Sequence, residues 1–237
     1  RQQLALKVFK TTAAYDGAIA TYLSGVVEAE QSKFPETLLV KAIKEQDLRY
    51  GENPQQSAAF YKMPGAPAHS LANAQQLQGK PLSYNNLLDT DAAWAAVREF
   101  DDPSVIILKH QNPCGSATAE NVVEAYDRAF ACDPISAFGG IIAVNREVPL
   151  EFVEHFADIN KQFVEVLIAP SFTEEALERL SKRTNLRVLA TGGIDRSREL
   201  EMRTVDGGLL VQDLDHADEA ADSFEVVTKR QQTPAEL

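Results

Sequence analysis

The sequence predicts an α/β protein in which helices cover both faces of a layered sheet. Short apolar runs at 104–108, 141–144 and 164–169 have the length and composition of buried strands. Segments with helical spacing separate them, and this alternation is typical of α/β/α layers. With 237 residues, 44% of them hydrophobic, the chain is long enough to bury a core of ordinary size.

Four features are predicted before the first buried run, in this order: a helix inside an N-terminal lead-in over 1–30, a strand over 38–43, a turn at 51–54 and a helix over 89–100. The first helix follows from apolar residues at helical spacing as far as Leu23. The turn follows from Gly51, Asn53 and Pro54. The last helix is predicted to begin at Asp89, because a carboxylate there can cap free backbone N–H groups.

The rest of the chain continues the alternation. The predicted elements are a strand over 104–108, a helix over 119–131, a strand over 141–144, a helical turn over 152–156, a strand over 164–169, a helix after 171 and a strand over 187–190. The helix after Ser171 is predicted from a capping box with Glu174. Residues 206–222 are strongly acidic, and the chain contains no internal repeat.

Charge and cysteine content narrow the function classes. The chain has 23 Lys and Arg against 35 Asp and Glu, which gives a formal net charge of −12. Such a surface repels nucleic-acid phosphates and anionic membranes, so we expect neither as a partner. The two cysteines, Cys114 and Cys132, make no disulfide framework, and we expect a cytoplasmic protein.

The run LKHQNPCGSA, residues 108–117, carries the densest set of reactive side chains in the chain. A zinc deaminase site would need His-x-Glu followed by Pro-Cys-x-x-Cys. Here His110 is followed by Gln111 and Asn112, and the position three after Cys114 is Ala117. We therefore predict no metal at this site.

Two other interpretations of the run stay open on the residues alone. Cys114 could be a nucleophile activated by His110, although a small buried thiol is the more ordinary role of cysteine. Alternatively, Lys109 and His110 could form an acid–base pair at the end of a buried strand. In open α/β sheets, ligands bind beyond the carboxyl ends of strands, which favours a site there.

Several longer motifs resemble one family. They are DLRYGENPQQ (47–56), SYNNLLDTDAAW (83–94), KHQNPCG (109–115), DPISAFGGIIAVNRE (133–147), FVEVLIAP (163–170), GGLLVQD (207–213) and VVTKR (226–230). Together they resemble the transformylase part of the bifunctional purine-biosynthesis enzymes that join AICAR transformylase to IMP cyclohydrolase. The resemblance implies a cytidine-deaminase-like α/β fold without the zinc site. It also implies formyl transfer from the co-substrate 10-formyltetrahydrofolate to the 5-amino group of AICAR, giving FAICAR.

The resemblance assigns catalytic roles within the KHQNPCG motif. His110 matches the general base that takes a proton from the attacking amine. Lys109 matches the neighbouring cation that stabilises the transition state and helps the folate nitrogen leave. Asn112 is expected to shape the turn and to contact the substrate. No metal cofactor is implied.

Further positions match substrate-binding residues of the family. Arg49 and Tyr50 match its nucleotide-binding pair, and a guanidinium beside a phenol suits a phosphate and a flat base. Phe138 and Gly139 match a loop whose backbone approaches the base. Glu165 matches an acidic position that contacts the ligand; the alternative from the residues alone is a charge at a strand edge.

The family pattern also differs from this chain in places. Gln55 stands where the family commonly has His, so a proton-transfer role there is lost. The resemblance implies that 31–237 form the first, nucleotide-binding portion of the transformylase domain, truncated at both ends. It implies a homodimer with shared active sites, so catalysis depends on more than the isolated chain. An inactive binding or dimerisation module is therefore a further alternative, beside a cysteine hydrolase using Cys114 and His110.

Overall fold

The computed structural model describes residues 1–27, 34–195, 200–215, 226–231 and 233. Its centre is a six-stranded sheet with the order β3-β8-β7-β6-β4-β5. The strands are β3 (Gln75–Gln78), β4 (Ser104–Lys109), β5 (Asn112–Thr118), β6 (Gly140–Val144), β7 (Val164–Ala169) and β8 (Arg187–Ala190), with β1 (Ile43–Leu48), β2 (Ala58–Lys62), β9 (Leu200–Val205) and β10 (Gly208–Asp213) in two separate hairpins. The predicted α/β class is confirmed.

Helices cover both faces of this sheet. The helices are α1 (Gln2–Val27), α2 (Tyr84–Val97), α3 (Val122–Cys132), α4 (Leu150–Glu154) and α5 (Glu174–Ser181), with a π-helical turn (His155–Ile159) and a 3₁₀ turn (Leu71–Asn73). On one face, α2 buries Trp94 against Ile106 and Leu108. On the other face, Tyr126 of α3 packs on Phe152 of α4. The two apolar clusters give the layered α/β/α architecture.

Strand direction decides which loops meet at each edge of the sheet. Strands β6, β7 and β8 are mutually parallel, but β4 is antiparallel to β6, with Leu108 opposite Ile141. The end of β4 therefore lies beside the starts of β6 and β7. The expectation of a site at strand carboxyl ends holds only for β4, because the three parallel strands present their amino ends at this edge.

Helix α2 begins earlier than predicted. Its N-cap is Ser83, whose hydroxyl accepts the N–H of Asn86 while the Asn86 side chain accepts the N–H of Ser83. Prediction of an N-cap at Asp89 was wrong, because this reciprocal capping box already satisfies the free N–H groups one and a half turns upstream. The carboxylate of Asp89 is therefore available for contacts outside the helix.

Three other boundaries were also wrong. The strand predicted over 38–43 begins only at Ile43, where pairing with β2 starts. The cap of α5 is Thr173, which accepts the N–H of Ala176, whereas Ser171 donates to Glu147. Helix α3 starts at Val122, because β5 continues through Thr118.

Helix α1 confirms the predicted N-terminal helix and extends it to Val27, although residues 28–30 of the lead-in lie outside the described residues. None of its residues is buried, and apolar side chains such as Phe9 and Tyr22 are each 70% exposed. A groove of about 900 Å³ runs between α1 and residues 38–42, and none of the predicted site residues lines it.

Part of the acidic stretch, 216–222, also lies outside the described residues.

The structure also bears on membrane association. Among the residues that it describes, no helix combines the length and the apolar character needed to cross a bilayer.

Candidate active site at a strained hairpin turn

A tight hairpin forms the centre of the KHQNPCG motif. Lys109 pairs with Asn112 across it, so His110 and Gln111 alone form the turn. Both have positive φ angles, 53° and 61°, as the type I′ turn of a two-residue hairpin requires. Such a turn usually contains glycine or asparagine, and non-glycine residues there are strained. This turn therefore needs support from its surroundings.

Although Asn-Pro is typical of a turn, Asn112 and Pro113 belong to β5. Proline is tolerated there because β5 is the outermost strand of the sheet, where a missing N–H can face away from the ladder. The side chain of Asn112 does reach the turn: its amide donates to the carbonyl of His110 at 3.0 Å.

Asp89 of α2 supports the turn from the other side. One carboxylate oxygen accepts the N–H of His110 at 3.2 Å, and the other accepts the N–H of Gln111 at 3.0 Å. Sequence reasoning missed this role because it used Asp89 as a helix cap. The Ser83–Asn86 capping box upstream was the available signal that Asp89 lies inside the helix.

Lys109 connects the turn to a second loop. Its side chain is half-buried, and Nζ donates to the carbonyl of Phe138 at 2.8 Å. Gly140 permits the close pairing of β6 with β4 beside Lys109, because a Cβ there would lie 2.9 Å from the carbonyl oxygen of Leu108. The structure thus brings Lys109 next to the loop whose Phe138 and Gly139 are expected, from the resemblance, to bind substrate.

The loop over 133–139 has its own internal support. The Asp133 carboxylate accepts the N–H groups of Ile135 and Ser136 and the Ser136 hydroxyl, which holds the pKa of Asp133 below its usual value. Gly139 has a φ of 76° and donates its N–H to the carbonyl of Phe163. The ring of Phe138 is 60% exposed and lies with its centroid 5.4 Å from that of Phe163. This loop therefore offers an exposed aromatic face and approachable backbone.

Arg49 and Tyr50 lie on the loop that follows β1. Nη2 of Arg49 donates to the Tyr50 hydroxyl at 3.0 Å, and the guanidinium lies 4.8 Å from the ring centroid. The loop is closed by the N–H of Gly51, which donates to the carbonyl of Gln56 at 2.8 Å. Both side chains can therefore act together on one ligand, whereas Gln55 is simply exposed.

One face of α2 carries both the Arg49 loop and the hairpin turn. The amide of Asn85 donates to the carbonyl of Glu52 in that loop at 3.3 Å, and Asp89 holds the turn. Residues four apart in a helix lie on the same side, about one turn from each other. The guanidinium–phenol pair and the His110 turn are therefore anchored to neighbouring points of a single rigid element.

Glu165 lies at the same edge of the sheet, at the start of β7. Its carboxylate forms an ion pair with Arg187 of β8, with 2.7 Å between Oε2 and Nη1. The Arg187 side chain is only 13% exposed and also contacts the carbonyl of Pro81. Register places Val164 opposite Gly140, so Glu165 lies two residues along β7 from the end of the 133–139 loop. The guanidinium of Arg187 therefore already fixes the position of the Glu165 carboxylate.

The cysteine of the motif is built into the packing of the hairpin. Cys114 packs against the core cluster of α3, and its Sγ donates to the carbonyl of Ile107 at 3.4 Å. Burial raises the pKa of the Cys114 thiol, which lowers the fraction of reactive thiolate at neutral pH. Within the described ranges, no three His, Cys, Asp or Glu side chains cluster in a way that could hold a metal ion.

The two cysteines therefore allow an internal comparison. With iodoacetamide at pH 7, we expect Cys114 to be alkylated about tenfold more slowly than a free thiol, because thiolate is the reacting species. The exposed Cys132 of the same chain serves as the control. Peptide mapping by mass spectrometry measures both rates. A Cys114 that reacts faster than Cys132 would support the alternative in which Cys114 is a catalytic nucleophile.

The structure thus groups five predicted residues around the hairpin and the adjoining loop: Lys109, His110, Asn112, Phe138 and Gly139. Arg49 and Tyr50 are linked to this group through α2, and Glu165 lies at the same sheet edge. Such a site can bind an anionic, flat ligand and place an imidazole and an ammonium beside it.

Comparison with protein families agrees with the motifs: the family model described as the AICARFT/IMPCHase bienzyme matches residues 1–237. The chain belongs to the AICARFT/IMPCHase bienzyme family of purine-biosynthesis enzymes.

Proposed function

We propose that this chain carries the nucleotide side of an AICAR transformylase site. The reaction moves the formyl group of 10-formyltetrahydrofolate onto the 5-amino group of AICAR and gives FAICAR. The observation that carries the proposal is the 2.8 Å contact of Lys109 Nζ with the carbonyl of Phe138, which joins the hairpin turn to the 133–139 loop. Membership of the bienzyme family supports the same reaction.

His110 is the proposed general base. In the transfer, the amine nitrogen of AICAR forms a bond to the formyl carbon, and the bond from that carbon to N10 of the folate breaks. The amine loses a proton and N10 gains one, so a group that accepts and returns a proton balances the step. Imidazole suits this role near neutral pH, and the exposed His110 at the tip of the turn can reach a bound amine.

Lys109 supplies a fixed positive charge beside the reacting carbon. Its Nζ already has one acceptor, the Phe138 carbonyl, and an ammonium has three donors. The remaining donors can stabilise negative charge on the formyl oxygen, or assist N10 as it leaves. Fixed charges of this kind contribute strongly to catalysis, because they need no rearrangement during the reaction.

Arg49 and Tyr50 are proposed to bind the nucleotide. The guanidinium can form two parallel hydrogen bonds to the 5′-phosphate, as arginine does with planar or tetrahedral anions. The Tyr50 ring, held beside it by the hydroxyl contact, offers a flat surface for the imidazole carboxamide. Attachment of this loop to α2 fixes the distance from the phosphate site to His110.

The other predicted residues are proposed to complete the pocket. The backbone around Phe138 and Gly139 approaches the base, and Glu165 accepts a hydrogen bond from the ligand while Arg187 holds its other side. Asn112 closes the turn and contacts the substrate.

Assembly and location are also proposals. We propose a cytoplasmic homodimer whose active sites are shared between protomers. The exposed apolar side chains of α1, Phe9 and Tyr22 among them, support a partner surface, because large exposed apolar patches usually mark interfaces. Two free cysteines, Cys114 and Cys132, fit a reducing compartment. Sedimentation at micromolar concentration tests the dimer.

Titration calorimetry with AICAR is the direct test of the proposed site. We expect Arg49→Ala to weaken AICAR binding by about 10- to 100-fold, because a hydrogen bond to a charged group contributes roughly 1.5–3 kcal/mol. Arg128→Ala is the matched control, since that arginine forms an exposed pair with Glu124 on α3 and should leave binding unchanged.

The opposite results have separate meanings. No heat with AICAR at millimolar concentration would count against a competent nucleotide site in residues 1–237. Equal weakening by Arg49→Ala and Arg128→Ala would count against Arg49 as the phosphate ligand. A stable dimer with neither binding nor formyl transfer would favour an inactive dimerisation module.

A further inference from the structure

The turn that presents His110 has an unusual requirement. Both of its residues have positive φ angles, yet neither His110 nor Gln111 is a glycine. Side chains with a Cβ are strained in this conformation, and such strain persists only where the surroundings enforce it. Some contact must therefore hold the turn in place.

Asp89 makes the contact that fits this need. It accepts the N–H of His110 on one carboxylate oxygen and the N–H of Gln111 on the other, at 3.2 and 3.0 Å. The turned backbone between these residues points both consecutive N–H groups at the one carboxylate. Hydrogen bonds to an ionised acceptor are about twice as strong as neutral ones, so the carboxylate favours this backbone over alternatives.

The supporting carboxylate is itself rigidly placed. Asp89 lies in the middle of α2, between the capped N-terminus at Ser83 and the buried Trp94. The other side of the turn is closed by Asn112, whose amide donates to the carbonyl of His110. Both ends of the turn thus have a side-chain partner, and only Asp89 carries charge.

We infer that Asp89 is a positioning residue: its carboxylate holds the strained 110–111 turn, and so places Lys109 and His110 for the reaction. The catalytic part of this inference rests on the proposed function, whereas the structural part does not. Loss of the carboxylate would leave the turn free to adopt conformations that move His110 and break the contact of Lys109 with the Phe138 carbonyl.

Asp89→Asn tests the inference with little change of shape. The amide keeps one acceptor oxygen but turns an N–H donor toward the second backbone N–H. We expect hydrogen exchange at the His110 and Gln111 amides to rise about tenfold or more, since the charge-assisted bonds that protect them are weakened. In the whole protein, we expect kcat for formyl transfer to fall about tenfold, while the Kd for AICAR changes by less than about twofold.

Gln111→Gly separates positioning from direct chemistry. Glycine adopts positive φ without strain, so this second change should restore much of the lost kcat in the Asp89→Asn background. Asp91→Asn removes the same charge from an exposed position of the same helix, and serves as the matched control. It should alter neither the exchange rates nor kcat. Thermal unfolding of each variant checks that α2 remains folded.

Three results would overturn the inference. Unchanged exchange at His110 and Gln111 in Asp89→Asn would show that the carboxylate does not hold the turn. Faster exchange with unchanged kcat would show that holding the turn does not matter for the reaction. A lost kcat that Gln111→Gly leaves unrestored would make Asp89 a direct participant. If the unmodified protein neither binds AICAR nor transfers formyl, the proposed function fails, and the exchange rates still decide whether Asp89 holds the turn.

Discussion

Replacing His110 with alanine is expected to lower kcat for formyl transfer by about 10²- to 10⁴-fold, the usual contribution of a positioned general base. The amine of AICAR must lose its proton as the bond to the formyl carbon forms, and without the imidazole only water can accept it. The side chain is exposed at the tip of the turn, so its removal should not disturb the core. The AICAR Kd should therefore change much less than kcat.

Steady-state kinetics on the whole protein, with and without added imidazole, measures this effect. Free imidazole that enters the space left by the side chain should restore part of the rate. His155→Ala is the control, because His155 pairs with Asp127 away from the hairpin and should leave kcat within about twofold. A His110→Ala enzyme with near-normal kcat would rule out this residue as the base.

The buried strands could be predicted because burial on both faces produces continuous apolar runs. Strands β4, β6 and β7 each consist of such a run, and each run is flanked by turn residues. By contrast, β3 and β5 lie at the two edges of the sheet, with sequences QQLQ and NPCGSAT that carry little apolar signal. An edge strand is recognised by its neighbour in space, which the local sequence does not reveal.

The candidate site was predicted as a set of residues but not as a geometry. The motifs identified Lys109 and the 133–139 loop separately, and only the antiparallel pairing of β4 with β6 puts them in contact. The position of the turn could not be predicted because its sequence, His-Gln, contains none of the residues that normally indicate a type I′ turn. Its conformation depends on Asp89, which is 21 positions away in the chain.

Gly115 is the position where a single methyl group should have the largest effect on stability. It is buried in β5, and a Cβ there would lie 1.9 Å from the carbonyl oxygen of Ala129 and 2.8 Å from its carbonyl carbon. Both atoms belong to the backbone of α3, so no side-chain rotation can relieve the overlap. The whole helix would have to move away from the hairpin.

Gly115→Ala is therefore expected to lower the free energy of unfolding by about 3 kcal/mol or more, at the upper end of the usual range for overpacked cores. That corresponds to a fall in Tm of roughly 6–12 °C for a domain of this size. Urea unfolding followed by circular dichroism measures it. Gly17→Ala is the matched control, because a Cβ at that position in α1 has nothing within 4 Å, and alanine favours a helix.

The same substitution should also impair the site, because β5 leads directly out of the turn. A shift of β5 away from α3 moves Asn112, and with it the partner of the His110 carbonyl. Gly115→Ala should therefore lose formyl transfer even at temperatures where the chain remains folded, whereas Gly17→Ala should retain it. An unchanged unfolding midpoint for Gly115→Ala would show that β5 and α3 can move apart without loss of free energy of unfolding. The close contact of Gly115 with Ala129 would then not be what holds the hairpin in place.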